Sequence, residues 1–236
     1  MADKILTFNG KTISGPSGTG IVLIKEPEPV QGVTIGGRTY RTVTIGNQEW
    51  MAENLDYKFE GCTYRDGIDG NEIEGDPSLY ETAYYNYDPA QGQGLLYGGD
   101  CGRYINANSA SLGIPEGWRV PSDNDANLLI TTVGAIEGVA KLKSTTGWIN
   151  NGTDQFGFCA KPAGEWVGSF EGINTINPYT SELENYLSIW SSTYHEEDYG
   201  YRSLYIADSI VDLYYLNEGG AQSIYLRSIR LMRDIT

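Results

Sequence analysis

Gly37-Arg38-Thr39-Tyr40-Arg41-Thr42-Val43-Thr44-Ile45-Gly46-Asn47-Gln48-Glu49-Trp50-Met51-Ala52-Glu53-Asn54-Leu55 is the stretch from which the fold is read. It contains strands around Arg38–Ile45 and Glu49–Met51 and opens the main domain. Further phrases follow in order: Gly117-Trp118-Arg119-Val120-Pro121-Ser122-Asp123, Leu142-Lys143-Ser144, Gly147-Trp148, Gly157-Phe158, Pro162-Ala163-Gly164, Trp190-Ser191-Ser192 and Ile229-Arg230-Leu231-Met232-Arg233-Asp234. Between them, Asn54 to about Gly99 is loop-rich, with turns at Asp66-Gly67, Asp69-Gly70 and Asp76-Pro77. One helix is expected from about Cys101 to Leu112. A second follows Pro121, capped by Ser122, and runs through Leu128-Leu129-Ile130 to about Ile136. From Leu187 the pattern predicts antiparallel strands near 187–191, 202–207, 210–216 and 223–232, the last pair turned by Asn217-Glu218-Gly219-Gly220. Two helices followed by loops and late strands make the main domain α+β.

Residues 1–32 have a different character. Ile5-Leu6-Thr7-Phe8 and Lys11-Thr12-Ile13 flank the hairpin signal Asn9-Gly10, Ile21-Val22-Leu23-Ile24 reads as another strand, and Glu26-Pro27-Glu28-Pro29 as a stiff spacer. This is expected to be a short β-rich attachment or assembly segment joined to a recognition domain at 33–236. The first residues lack the apolar run of a secretion signal, and no stretch reaches the ~18 apolar residues that span a bilayer.

The 236-residue chain carries a formal charge of −15, which excludes a phosphate backbone and an anionic membrane surface as partners. The bland reading of that acidity is solubility. Thirty glycines favour turns and short strands over helices. Eighteen tyrosines, against five each of Phe and Trp, suit a binding face, because a tyrosine is a large rigid surface with a polar tip. The cysteines Cys62, Cys101 and Cys159 are odd in number and irregular in spacing, so they make neither a disulfide framework nor a zinc site.

Catalytic signals are weak. Gly15-Pro16-Ser17-Gly18-Thr19-Gly20 begins like a phosphate-binding loop, but Ile21-Val22 stands where the lysine and hydroxyl are required. The one histidine, His195, sits in Tyr194-His195-Glu196-Glu197-Asp198-Tyr199, a polar loop rather than a triad context. No cofactor is expected. Glu196, Glu197, Asp198, Asp208 and Asp212 leave a structural or ligand-bridging calcium open.

The ordered phrases resemble the Fibrobacter succinogenes major paralogous domain, a C-type-lectin-like module of Bacteroidetes and their phages; the likeness covers roughly Gly37 to Asp234. It implies a binding module rather than an enzyme, with the segment after Trp190 as the binding face. Trp50, Trp118, Trp148 and Trp190 lie within the scaffold phrases and are expected in the core. One departure stands out. Members often carry a Trp after the Pro-Ser-Asp helix start, where this chain has Asn124-Asp125-Ala126-Asn127. The calcium-dependent sugar motifs of C-type lectins are missing, as is the late cysteine pair of the related formylglycine-generating enzymes. In part of the family the segment after Trp190 is rewritten by diversity-generating retroelements, which favour Tyr, Asn, Asp, Ser and His at exposed positions.

The candidate ligand-binding residues are therefore Tyr194, His195, Glu196, Tyr199, Tyr201, Tyr205, Asp208, Asp212, Tyr214 and Asn217. Not all can face outward, since strand residues alternate; the competing reading packs some of these tyrosines on the sheet. The expected ligand is a bacterial surface protein or glycan. The expected setting is a phage virion appendage, with residues 1–32 contacting other virion proteins. A bacterial surface or secreted adhesin, a structural virion decoration and a homo-oligomer are the alternatives.

Overall fold

The computed structural model describes residues 4–8, 11–15, 32–62, 64–65, 94–169, 186–197, 199–208, 210–214 and 223–235. The strand expected at 21–24, the spacer at 26–29 and the turns at 66–77 and 217–220 lie outside them. The chain divides into two compact units, Met1–Val30 and Gln31–Thr236. In the first, β1 (Lys4–Phe8) and β2 (Lys11–Gly15) pair antiparallel, with Phe8 opposite Lys11 and Lys4 opposite Gly15.

The second unit runs β3 (Gly32–Ile35), β4 (Arg38–Ile45), β5 (Gln48–Met51), β6 (Tyr64–Arg65), β7 (Leu96–Gly98), α1 (Gly99–Asn108), α2 (Asp123–Val133), a 3₁₀ turn (Ala135–Gly138), α3 (Val139–Leu142), β8 (Trp166–Ser169), β9 (Leu187–His195), β10 (Gly200–Ile206), β11 (Val211–Tyr214), β12 (Ser223–Arg227) and β13 (Met232–Asp234). Its sheets have the strand orders β13-β5-β4-β3, β6-β7-β12-β8 and β11-β10-β9, and every pairing within them is antiparallel. Helices and antiparallel sheets are segregated along the chain, so the architecture is α+β.

The opening phrase makes the first of these sheets. In β3, Val33 and Ile35 are buried while Gly32 and Thr34 are exposed, the period-two pattern of a half-buried strand. Gly36 (φ 57) and Gly37 (φ 84) turn the chain into β4; both occupy the left-handed region that a tight hairpin requires and a side chain disfavours. β5 is buried along its whole length because it is central, flanked by β4 and β13. Its alternation therefore sorts between two cores rather than between core and water. Met51 packs with Tyr40, Leu55, Tyr97, Ile105, Trp118 and Trp190, and Trp50 packs with Leu129, Trp148, Phe158, Ile189 and Leu204. All four tryptophans of the scaffold phrases are buried.

β13 brings the last phrase onto the first. Met232 lies opposite Trp50, and Asp234 opposite Gln48. The contact continues beyond the strands as Met51 N–H donates to Leu231 O (2.9 Å) and Leu55 N–H to Ile229 O (2.7 Å). Two ends of the domain separated by almost its full length thus close on one another.

α2 starts where the sequence places it. Ser122 Oγ accepts from Asp125 N–H at 3.2 Å, and Asp125 Oδ2 accepts from Ser122 N–H at 2.8 Å, a reciprocal capping box. Asp125 closes the box and also takes Arg119 at 2.7 Å, while Ala126, Leu129 and Val133 supply the helix core. The helix ends at Gly134 (φ 93), short of the expected Ile136, since a left-handed residue cannot continue it.

Candidate recognition face

β9, β10 and β11 form a three-stranded sheet that carries most of the candidate residues. Pairing is regular from Leu187↔Ile206 to Trp190↔Ser203, then shifts, and resumes at Tyr194↔Tyr201 and His195↔Gly200. Ser191, Ser192 and Thr193 of β9 therefore stand against Arg202 alone. The surplus residues bond to the start of α2 instead of to β10. Ser192 N–H donates to Pro121 O (2.8 Å), and Asp123 N–H donates to Thr193 Oγ1 (3.0 Å).

Asp123 is the hub of this junction. As the first residue of α2 it places a carboxylate at the helix N-terminus, where the dipole favours it. Oδ1 accepts from Ser191 Oγ; Oδ2 lies 2.7 Å from His195 Nε2 and 3.7 Å from Arg202 Nη1. His195 Nδ1 lies 3.2 Å from Glu197 Oε1. Glu197's own backbone amide and then the His195 side chain hold its carboxyl below the usual value. The imidazole thus ties the turn after β9 to the helix that begins more than seventy residues earlier. The contacts run Ser191–Asp123–His195 with the carboxylate in the middle. Activation of a nucleophile needs the imidazole between the other two.

The sheet sorts the candidate residues into two sets. Tyr199 is 83% exposed with φ 53, and Tyr194 is 40% exposed. Glu196 and Asp212 are exposed as well. His195 is largely covered, its side chain 13% exposed. Tyr201, by contrast, is only 8% exposed and belongs to the first core. Its ring meets Trp190 edge-on at 6.3 Å and Tyr194 at 5.2 Å, and its hydroxyl donates to Asp100 Oδ1 at 2.9 Å. Burial above all, then the Asp100 carboxylate, pushes that phenol up to about 12. Expected as a contact residue, Tyr201 is in place a support beside Tyr194: the two are cross-strand partners on one face, and Trp190 and Asp100 cover Tyr201 while Tyr194 stays half-open. Tyr205 is half-buried and stacked on Tyr186 at 5.1 Å. Asp208 accepts from Lys143 Nζ at 2.6 Å and from Asn150 Nδ2, and Lys143 is itself buried beside Trp148. Tyr214 ends β11; its side chain, and Asn217, lie outside the described residues.

The residues that organise this face without having been singled out for it are Asp123, Asp100, Lys143 and Tyr186. Asp123 stands in the quoted phrase Pro121-Ser122-Asp123, where its position after a cap residue marked a helix start; its second duty depends on β9 returning to it. Among the described residues no group of three or more His, Cys, Asp or Glu side chains is arranged to hold a metal ion, and no helix is long and apolar enough to cross a membrane.

The model of the Fibrobacter succinogenes major domain matches residues 43–233, which is most of the chain. The chain belongs to this family. The matched span of the Fibrobacter major domain begins in β4 and ends in β13, so it includes both strands that close the fold and the whole Asp123–His195 junction. No curated protein and no solved structure matches the chain.

Proposed function

We propose that this major domain is a non-catalytic recognition module of C-type-lectin-like architecture, and that it meets its ligand with the turn and strand ends around Tyr194, Glu196, Tyr199 and Asp212. Tyr201 supports Tyr194 at this surface, while Tyr205 and Asp208 brace the other end of the same sheet against Tyr186 and Lys143. The single observation that carries the reading is Tyr199, a tyrosine that is almost wholly exposed on a turn anchored to α2 through His195 and Asp123. An anchored aromatic supplies contact area with little entropy left to lose on binding. The pairing of first and last scaffold strands, with two longer helices between them, supports the C-type-lectin-like assignment. The placement of a carboxylate between Ser191 and His195 supports a binding role over nucleophilic catalysis. The ligand is a bacterial surface protein or glycan. The setting is a phage virion appendage on which residues 1–32 dock to the particle.

The test is adsorption of the fluorescently labelled full chain to a panel of whole Bacteroidetes cells, compared with a Tyr194→Ser/Glu196→Ala/Tyr199→Ser triple variant. Adsorption should fall by at least ~10-fold while the thermal transition stays put, since exposed substitutions usually change stability by under ~0.5 kcal/mol. Undiminished adsorption by a folded triple variant would move the recognition surface elsewhere, with 54–99 the next region to examine.

A further inference from the structure

We propose that Cys62 and Cys101 form a disulfide when the protein meets an oxidising medium, closing the chain covalently across residues 62–101. Sequence spacing carries no hint of this pair. The fold brings them together: Cys101 is buried in the first turn of α1, and Cys62 is half-buried against the same apolar cluster. The backbone before Cys62 is turned by its N–H donating to Phe59 O at 3.1 Å. That turn lies directly on α1. A Cβ added at Gly61 would stand 2.6 Å from the hydroxyl of Tyr104, one helical turn beyond Cys101. Cys62 packs against the cluster that contains Cys101, close enough for the Cys101 side chain to lower the Cys62 thiol. Both are free thiols in the structure. The remaining cysteine, Cys159, is occupied differently: its backbone N–H donates to Asp154 at 2.7 Å, and its carbonyl accepts from Arg230 at 3.1 Å.

The chemistry is thiol–disulfide exchange with an external disulfide RSSR, such as oxidised glutathione or an oxidoreductase disulfide. Cys62 is the more accessible of the two, and the Cys101 side chain draws its thiol below the usual value, so it attacks first. Its proton goes to solvent, its sulfur bonds to one sulfur of RSSR, and the other leaves as RS⁻, to be protonated. Cys101, deprotonated in turn, attacks the Cys62 sulfur and expels the second RS⁻. The net change is two cysteine thiols plus RSSR to one protein disulfide plus two RSH. A protein assembled in a reducing cell and acting outside it would gain this bond after release. The cross-link would restrict the unfolded chain and so raise stability.

The experiment uses the full chain, purified with reductant and then exposed to oxidised glutathione. Thiol titration under denaturing conditions should fall from three free cysteines to one. The intact mass should drop by about 2 Da, and a proteolytic digest should contain a peptide joining Cys62 to Cys101. Tm should rise by about 5–10 °C and return on reduction. The Cys62→Ser variant should retain two free thiols and show no such rise. The proposal is overturned if three thiols persist, if Cys62 or Cys101 ends as a stable glutathione adduct, or if the linkage found joins Cys159 or a second copy. A bond that forms without raising Tm also overturns it, since native proximity is its premise.

Discussion

Every described hydrogen bond of Arg230 goes to a neutral oxygen. Nε donates to Asn54 Oδ1 (2.6 Å), the Nη groups donate to the carbonyls of Met51, Phe158 and Cys159, and the guanidinium lies 4.4 Å from the Phe158 ring centroid. Complete burial pushes its pKa down to about 10, which still leaves it charged at neutral pH. A planar group with five donors is needed to reach four acceptors contributed by two separate segments, 51–54 and 158–159. Arg230→Met should leave those oxygens buried and unpaired, at a cost of roughly 3–5 kcal/mol in urea unfolding, and Arg230→Lys should recover only part of it. A variant of wild-type stability would show that the site can collapse or admit water. Asp208 gives a pH-dependent counterpart. The hydrogen bond from Lys143 holds its carboxyl below the ordinary value. Its folded pKa is thus lower than its unfolded one, and the stability it contributes is fully present above the unfolded value and lost as pH falls through the folded value. The stability gap between wild type and Asp208→Asn should therefore be open at neutral pH and close as pH falls below the ordinary carboxylate value. Urea unfolding at several pH values would measure it; a gap that widens in acid would refute the assignment.

At the scale of elements, the β9 irregularity and the start of α2 act as one device. Three residues facing one would leave backbone groups unpaired in a flat ladder; Ser192 N–H donates instead to Pro121 O and Thr193 N–H to Ser191 Oγ, while the first amide of α2, Asp123 N–H, donates to Thr193 Oγ1. The turn beyond β9 is then closed by the resumed Tyr194↔Tyr201 and His195↔Gly200 pairing and tied to α2 by the His195–Asp123 contact. His195→Ala should loosen that turn without unfolding the domain. Hydrogen–deuterium exchange should accelerate at 194–201 and remain unchanged in β5, which is buried along its whole length. Exchange that is unaltered at 194–201 would show that the bulge contacts suffice; acceleration everywhere would show that His195 supports the core.

For the whole molecule, closure is the organising fact. β5 and β13 join the first and last scaffold phrases, and the Arg230 hydrogen bonds to Asn54 and Phe158 add a third segment to the same seam. Residues before Gln31 belong to the other compact unit. A chain starting at Gln31 should therefore melt with a transition close to that of the full protein and, on the proposed docking role of residues 1–32, should no longer attach to the virion. Calorimetry checks the first expectation and co-sedimentation with the particle the second; a truncated protein that is globally unfolded would place the N-terminal unit within the folding core.

Much of the scaffold was legible because its signals are local. The strand at Arg38–Ile45, the Ser122 cap and the strands begun at Leu187 and near 202 each depend on a few neighbouring residues, and each appears close to where it was read; the single strand expected at 223–232 instead divides into β12 and β13, and β12 pairs with β7 and β8 rather than with β11, because strand partners are a tertiary choice. The burial of Trp50, Trp118, Trp148 and Trp190 was legible for the same reason, large apolar rings inside patterned strands and turns. The face was legible only as a neighbourhood. Tyr194, Tyr199 and Tyr201 are alike in composition, yet one is half-open, one is free and one is under the surface. Which is which depends on the strand irregularity, on Trp190 beneath Tyr201 and on Asp100 at its hydroxyl, partners up to a hundred residues away. By itself the sequence determined an α+β scaffold with a tyrosine-rich, acidic C-terminal segment. Only the tertiary structure decided which of those side chains face water, which brace the core and which cysteines come together, because each of those outcomes is a contact between residues that local propensity cannot couple.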